Sequence, residues 1–152
     1  MKNIKLRDQL VGAWTLKEFT QENENGETSY PLDKDPLGFI MYTPDGYMSA
    51  QMQKKDRNLF KSDDMFAGEP EEYKNAASGY LAYSGRFSVN EIKKTVAHEL
   101  DVSLFPNWLG KQQVRLIKLE NNILNLETEQ AVMFNGELQT AKVVWERAVE
   151  NV

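Results

Sequence analysis

From Thr95 to Leu119 the chain reads TVAHELDVSLFPNWLGKQQVRLIKL, a pattern that predicts two antiparallel strands joined by a turn. Before the turn, every second side chain falls on one face, which holds Val96, His98, Leu100 and Val102. Alternation with a period of two is typical of a strand that buries one side. The pattern therefore predicts that His98, the only histidine of the chain, points toward an apolar interior.

The strand after the turn brings a positive charge toward the same interior. Its inward face is predicted to hold Gln113, Arg115, Ile117 and Leu119. An arginine among apolar neighbours requires an anion or hydrogen-bond acceptors, because an unpaired buried charge is very costly. A ligand carboxylate, the side chain of Glu18 or a group of backbone carbonyls would each meet that requirement.

Turn signals divide the rest of the chain into further short strands. A short helix is predicted from Met1 to Leu10, and a strand from Leu10 to Phe19. Residues 43–46 (Thr-Pro-Asp-Gly) and the pair Asn135-Gly136 are strong hairpin signals. About eight such strands indicate an all-β antiparallel sandwich or barrel. Eight strands with one apolar face each can close, and the interior then admits side chains or one small ligand.

One long connection interrupts this series of strands. Residues 54–79 are rich in charge, and Pro70 followed by Glu71 and Glu72 is typical of the first turn of a helix. We therefore predict a single domain over residues 1–152, with a helical insertion at 54–79 between the third and fourth strands. The insertion would act either as a lid over a cavity or as a fixed plug.

Composition disfavours several classes of partner. The 152 residues carry 23 acidic and 18 basic side chains, a net charge of −5. No run of Lys or Arg forms a basic stripe, which argues against nucleic acid and anionic membranes as partners. No stretch approaches the roughly 18 consecutive apolar residues of a membrane span, and the N-terminus lacks the apolar core of a signal peptide. These features predict a cytoplasmic protein.

Metal and cofactor sites are not expected either. The chain has no cysteine and a single histidine, so thiolate sites and paired-histidine motifs do not occur in it. It has no phosphate-binding glycine loop and no dinucleotide fingerprint. We predict no metal and no cofactor, and the sequence makes no prediction about oligomeric state.

The beginning and the end of the chain carry a family resemblance. Leu10-Val11-Gly12-Ala13-Trp14 resembles the G-x-W signature that opens the first strand of lipocalins and related calycin barrels. In such barrels a late arginine packs over that tryptophan, so the resemblance implies a structural pair of Trp14 and Arg147.

The resemblance extends over nearly the full length of the chain. The chain is similar to the bacterial and fungal lipocalin-like domain family in the pieces LVGAWTL, GFIMYTPDGYMSA, YLAYSGRF, TVAHELDVSLFPNWLG, QQVRLI and VVWER. This resemblance implies an eight-stranded lipocalin-like (calycin) barrel. It implies little about activity, because barrels of this kind include binding proteins and occasional enzymes.

Three functions remain open from the sequence. The leading hypothesis is binding of a small, partly apolar molecule in the barrel, with an anionic molecule as one option. The predicted ligand-binding residues are His98, Arg115, Tyr83, Tyr42, Met48, Met52, Phe87, Leu100, Gln113 and Ile117. The second hypothesis is an isomerase, cyclase or hydratase in which His98 is the catalytic residue that transfers protons. The third is a ligand-free structural or interaction module, whose barrel is filled by its own side chains.

Overall fold

The computed structural model of the protein describes residues 3–152, which form ten strands, two α-helices and one short 3₁₀ helix. The strands are β1 (Gly12–Asn23), β2 (Thr28–Ser29), β3 (Leu37–Tyr42), β4 (Tyr47–Gln53), β5 (Tyr80–Asn90), β6 (Thr95–Ser103), β7 (Gln112–Glu120), β8 (Ile123–Thr128), β9 (Val132–Phe134) and β10 (Glu137–Arg147). The helices are α1 (Leu6–Leu10), α2 (Pro70–Ser78) and the 3₁₀ helix Pro106–Trp108. The helix predicted over Met1–Leu10 is thus shorter than expected, and its residues Met1 and Lys2 lie outside the described part of the chain.

The strands form a closed antiparallel barrel. Neighbouring strands pair in the order β2-β1-β3-β4-β5-β6-β7-β8-β10-β9. A further pairing of β1 with β10, which begins with Trp14 opposite Arg147 and ends with Asn23 opposite Gln139, closes the sheet. The short strands β2 and β9 lie outside that ring, so eight strands form the wall. The predicted all-β, eight-stranded antiparallel barrel is confirmed.

The two ends of the barrel are built differently. One end, which we call the closed end, carries α1 and the tight turns at residues 43–46, 91–94 and 121–122. The carboxylate of Glu91 accepts hydrogen bonds from the backbone N–H groups of Leu6 and Arg7, which anchors α1 there. The opposite end, which we call the mouth, is formed by the longer segments at residues 24–36, 54–79, 104–111 and 129–136.

A β-bulge in β6 shifts the alternation of its side chains. In the pairing of β5 with β6, Gly85 lies opposite Leu100. The preceding Ser84 lies opposite Val102, which leaves Asp101 as the extra residue. Val102 is consequently turned outward and is 60% exposed. The prediction that Val102 faces the interior is wrong, because the bulge reverses the orientation of every residue after it.

A second bulge lies in β1 and decides the position of Glu18. The register of β1 against β10 shifts between Leu16 and Glu18. Trp145, opposite Leu16, is buried, so the next residue Val144 and the opposing Glu18 lie on the outer face. The ion pairs among residues 3–152 include none between Glu18 and Arg115. Of the three partners considered for Arg115, Glu18 is therefore excluded by its position on the outer face.

The insertion between β4 and β5 is helical only in its second part. Helix α2 begins at Pro70, and Glu69 and Glu72 exchange side-chain and backbone hydrogen bonds around its first turn. Residues 54–69 have no regular secondary structure. Within them Ser62 and Asp64 accept hydrogen bonds from backbone N–H groups two residues ahead, which replaces the bonds that a helix would use. Within the predicted helical insertion at 54–79, the structure is helical over Pro70–Ser78 alone.

Neither α-helix within residues 3–152 has the length and hydrophobicity needed to cross a lipid bilayer.

Candidate functional site

A cavity of about 880 Å³ opens at the mouth of the barrel. Its walls come from the first residues of β5 and β7, from the 3₁₀ helix and from the segment around β9. Its wall includes the side chains of Leu81, Phe105, Trp108, Gln113, Arg115 and Phe134. Pockets that hold a small organic ligand usually measure about 300–1,000 Å³ and are mostly apolar with a few polar groups. The volume and lining of this cavity fit that description.

The structure brings two of the ten predicted ligand-binding residues to the cavity wall. Gln113 and Arg115 line it directly. Seven others are buried in the barrel interior, namely His98, Tyr42, Met48, Met52, Phe87, Leu100 and Ile117. Tyr83 is partly buried and packs against the core. The role of these eight residues in ligand binding stays a prediction.

Arg115 presents a positive charge that no carboxylate neutralises. Its Nη1 donates a hydrogen bond to the carbonyl of Val114 at 3.0 Å, and its Nη2 donates to Oε1 of Gln113 at 3.2 Å. Among residues 3–152, no acidic side chain lies within ion-pairing distance of it. Glu129 also lines the cavity, but it is exposed to solvent. Burial lowers the pKa of Arg115, yet a guanidinium starts so far above neutrality that it remains charged.

His98 is held as a neutral imidazole beneath the cavity. Its Nε2 shares a hydrogen bond with the hydroxyl of Tyr42 at 2.8 Å. Its Nδ1 is buried and has no hydrogen-bond partner in the described part of the chain. Burial, and then the positive charge of Arg115, lower the pKa of His98 from 6.5 to about 3. At neutral pH this side chain can exchange hydrogen bonds but carries no proton to donate as an acid.

Aromatic rings connect His98 with the cavity wall. The ring of Tyr83 lies 6.2 Å from that of His98 and 6.0 Å from that of Trp108, which it meets edge-on. Trp108 also meets Phe105 edge-on at 5.4 Å. Burial raises the pKa values of Tyr83 and Tyr42, so both phenols are neutral at pH 7. The interior beside Arg115 is therefore polar without carrying further charge.

We expect His98 to make the folded protein less stable in mild acid. Its pKa is lower in the folded state, so only the unfolded state binds this proton between pH 6.5 and about 3. Above that window neither state binds the proton, so His98 does not affect the free energy of unfolding. As the pH falls through the window, the free energy of unfolding decreases. Between pH 7 and 5 the loss should be about 2 kcal/mol.

Urea unfolding at both pH values, on wild type and His98→Gln, measures this difference. The glutamine can keep a hydrogen bond to Tyr42 but does not titrate, so its loss of stability should be smaller by about that amount. Equal losses in the two proteins would show that His98 is protonated with little cost in the folded state.

Trp14 and Arg147 lie together at the closed end, far from the cavity wall. The guanidinium carbon of Arg147 is 3.9 Å from the centre of the Trp14 ring. Arg147 also donates hydrogen bonds to the carbonyls of Val11 and Gln9. Gly12 has a φ of +124°, and a Cβ there would lie 2.8 Å from Nη1 of Arg147. The glycine of the G-x-W signature thus leaves room for the arginine.

Sequence reasoning missed most of the cavity wall. Trp108, Phe105 and Phe134 belong to a short helix, a loop and a strand that lies outside the barrel ring. None of them takes part in an alternating pattern that could mark it as inward. The one available signal was an aromatic cluster in the turn after Ser103, between two strands whose inward faces already carried polar groups.

The comparisons with known proteins agree with this architecture. A family model described as a lipocalin-like domain matches residues 11–148. The chain is 33% identical over 106 residues to the 4'-hydroxy-3'-methoxypropiophenone carrier protein ppsC of Aspergillus oryzae, and this match covers 66% of the chain and 96% of the relative.

A solved structure gives a more distant likeness. A lipocalin-like protein from Bacteroides uniformis superimposes with a TM-score of 0.46 and 15% identity, over 91% of this chain and 98% of that one. Family membership rests on the family model and on the fungal relative, because each match covers most of the sequences compared. The chain belongs to the lipocalin-like domain family.

Proposed function

We propose that this protein binds a small, partly apolar molecule in the cavity at the mouth of the barrel. The observation that carries the proposal is the cavity itself, whose volume of about 880 Å³ is not filled by the side chains of the protein. Its wall combines aromatic surfaces at Phe105, Trp108 and Phe134 with two polar groups, Gln113 and Arg115. Such a wall suits a flat apolar body that carries a polar or anionic substituent.

The fungal relative supports the same class of ligand. Its name describes a carrier of 4'-hydroxy-3'-methoxypropiophenone, a small aromatic ketone with a phenol and a methoxy group. A planar ring with oxygen substituents is compatible with the aromatic side chains around Trp108 and with hydrogen bonds from Gln113 or Arg115. We propose that the eight predicted residues beneath the cavity set its depth and polarity, and that His98 and Tyr83 do so most directly.

The other two hypotheses receive less support. An enzyme that uses His98 for proton transfer needs a pKa near the working pH, whereas the pKa of His98 is lowered to about 3. A ligand-free module with a filled barrel is at odds with a cavity of this size. Binding is therefore the function that the geometry supports best.

Fluorescence titration tests the proposal. Trp108 lines the cavity, whereas Trp14 and Trp145 are buried in the core, so an aromatic ligand should alter the emission of Trp108 selectively. We expect saturable changes with 4'-hydroxy-3'-methoxypropiophenone and with the uncharged dye N-phenyl-1-naphthylamine. In Trp108→Phe the dye should still bind, and the change in protein emission should be reduced to what energy transfer from Trp14 and Trp145 gives.

A blocked cavity provides the matched control. Leu81→Trp places a bulky ring in the cavity wall and should weaken dye binding at least tenfold. Val102→Trp adds the same ring on the outer face and should leave binding unchanged. Equal dye affinity in wild type and Leu81→Trp would locate the binding elsewhere and overturn the proposal.

A further inference from the structure

The interior side of the cavity contains one charge and several neutral polar groups. Arg115 reaches it from β7, beside the amide of Gln113. The titratable groups that face the guanidinium from other strands of the barrel are Tyr42 on β3, Tyr83 on β5 and His98 on β6. All three are uncharged at neutral pH. The carboxylate of Glu129 lines the outer part of the same cavity and lies in solvent.

The guanidinium is also short of acceptors. A guanidinium has five N–H donors in a planar fork. Residues 3–152 provide it with two acceptors, the carbonyl of Val114 and the amide oxygen of Gln113. A partly buried cation with unused donors binds an anion more tightly than a neutral molecule, because the anion supplies both charge and acceptors.

We infer that Arg115 holds the ligand as a monoanion, so that the cavity takes up a weakly acidic aromatic molecule, a phenol or a carboxylic acid, in its deprotonated form. This inference rests on the proposed binding function and adds the charge state of the ligand. When a phenol binds, its O–H bond breaks, the electron pair stays on the oxygen and the proton leaves to the solvent. No bond to the protein is formed.

Because Arg115 supplies a single positive charge, it can compensate one negative charge on the ligand. Arg115 is the one basic side chain in the cavity wall of the described residues, so a dianion such as a phosphate monoester would bring an uncompensated negative charge. The aromatic side chains at Phe105, Trp108 and Phe134 favour a flat ring over a flexible aliphatic tail. The outer carboxylate of Glu129 opposes the anion weakly, since water screens it.

Two probes of matched shape test the inference. 4-Nitrophenol ionises and its phenolate absorbs visible light, whereas 4-nitroanisole has a methyl group in place of the acidic proton. In wild type the titration midpoint of bound 4-nitrophenol should fall by about 1–3 pH units relative to free 4-nitrophenol, as expected for an acid near an opposite charge. Its binding should release protons into weakly buffered solution.

Substitutions at Arg115 and Glu129 give the controls. In Arg115→Met the midpoint of the bound probe should return to or above that of the free probe, and 4-nitroanisole, which has no proton to lose, should lose less affinity than 4-nitrophenolate does. Arg115→Lys keeps the charge and should retain part of the shift. Glu129→Gln removes the opposing carboxylate and should leave the shift unchanged or enlarge it.

The possible outcomes separate this inference from the proposed function. If 4-nitroanisole binds wild type but the midpoint of 4-nitrophenol does not fall, the inference is overturned and the binding function stands. The same holds if the shift persists in Arg115→Met. If neither probe nor the naphthylamine dye binds wild type, both proposals fail. The decisive measurement is made on wild type, so a variant that does not fold leaves the test intact.

Discussion

Replacing Trp14 with alanine should lower the free energy of unfolding by about 3–5 kcal/mol, the range found when a buried aromatic side chain is truncated. Trp14 is 0% exposed, and its Nε1 donates a hydrogen bond to the carbonyl of Leu10 at 2.9 Å. Its removal would leave a cavity under Arg147 and a buried carbonyl without its donor. Urea unfolding followed by far-ultraviolet circular dichroism measures the change.

Another tryptophan provides the control for this change. Trp108 is partly exposed at the mouth, so Trp108→Ala should cost clearly less stability than Trp14→Ala. Arg147→Lys tests the stacked arrangement directly. An ammonium group can neither stack on the indole as a planar fork nor serve both carbonyls in the same way, and we expect a loss of about 1–2 kcal/mol. A neutral Arg147→Lys would mean that the stacking contributes nothing to stability.

Gly85→Ala should destabilise the protein by about 3 kcal/mol, at the upper end of the usual cost of overpacking. Gly85 lies beside the bulge in β6, where the two backbones approach unusually closely. A Cβ at this position would lie 1.7 Å from the carbonyl oxygen of Glu99 and 2.9 Å from its carbonyl carbon. Both contacts are with backbone, so β6 would have to move away from β5.

Gly79→Ala is the matched control for this substitution. A Cβ at Gly79 would meet its nearest atoms, in Asn75 and Lys54, at 3.4 and 3.5 Å, which are ordinary contact distances. Its φ of −98° is also open to alanine. We expect its stability to stay within about 1 kcal/mol of wild type in the same unfolding assay. If Gly85→Ala proved as mild as Gly79→Ala, the close approach of the strands would not constrain the fold.

The strands could be predicted because their information is local, and the family resemblance then implied a barrel where the strand pattern left a sandwich or a barrel open. Alternating faces and turn residues mark each strand, and an even series of such strands can remove its edges only by closing. The two bulges could not be predicted in this way, since a bulge depends on the register between strands. That is why Val102 and Glu18 face outward although simple alternation places them inward.

The residues of the candidate site also differ in whether a local pattern could predict them. Gln113 and Arg115 were found because they interrupt an apolar face, a signal that a single strand carries. Trp108 and Phe134 reach the cavity from segments that fold over the mouth, and their positions follow from long-range packing. The buried imidazole of His98 was expected, but its low pKa arises first from the depth of its burial in the closed barrel and then from the charge of Arg115 on the adjacent strand β7.

The different construction of the two barrel ends has a consequence for which segments can be mutated. The stacked pair and the helix anchored by Glu91 lie at one end, and the pairing of β1 with β10 runs from that end along the length of the barrel. Three of the connections at the mouth, residues 54–79, 104–111 and 129–136, supply cavity wall and lie outside the paired residues of β1 and β10. Loop exchange or a mutational library confined to these three segments would therefore redirect ligand selectivity while the scaffold keeps its stability. Under the proposed function, ligand selectivity and stability would thus depend on separate parts of the domain.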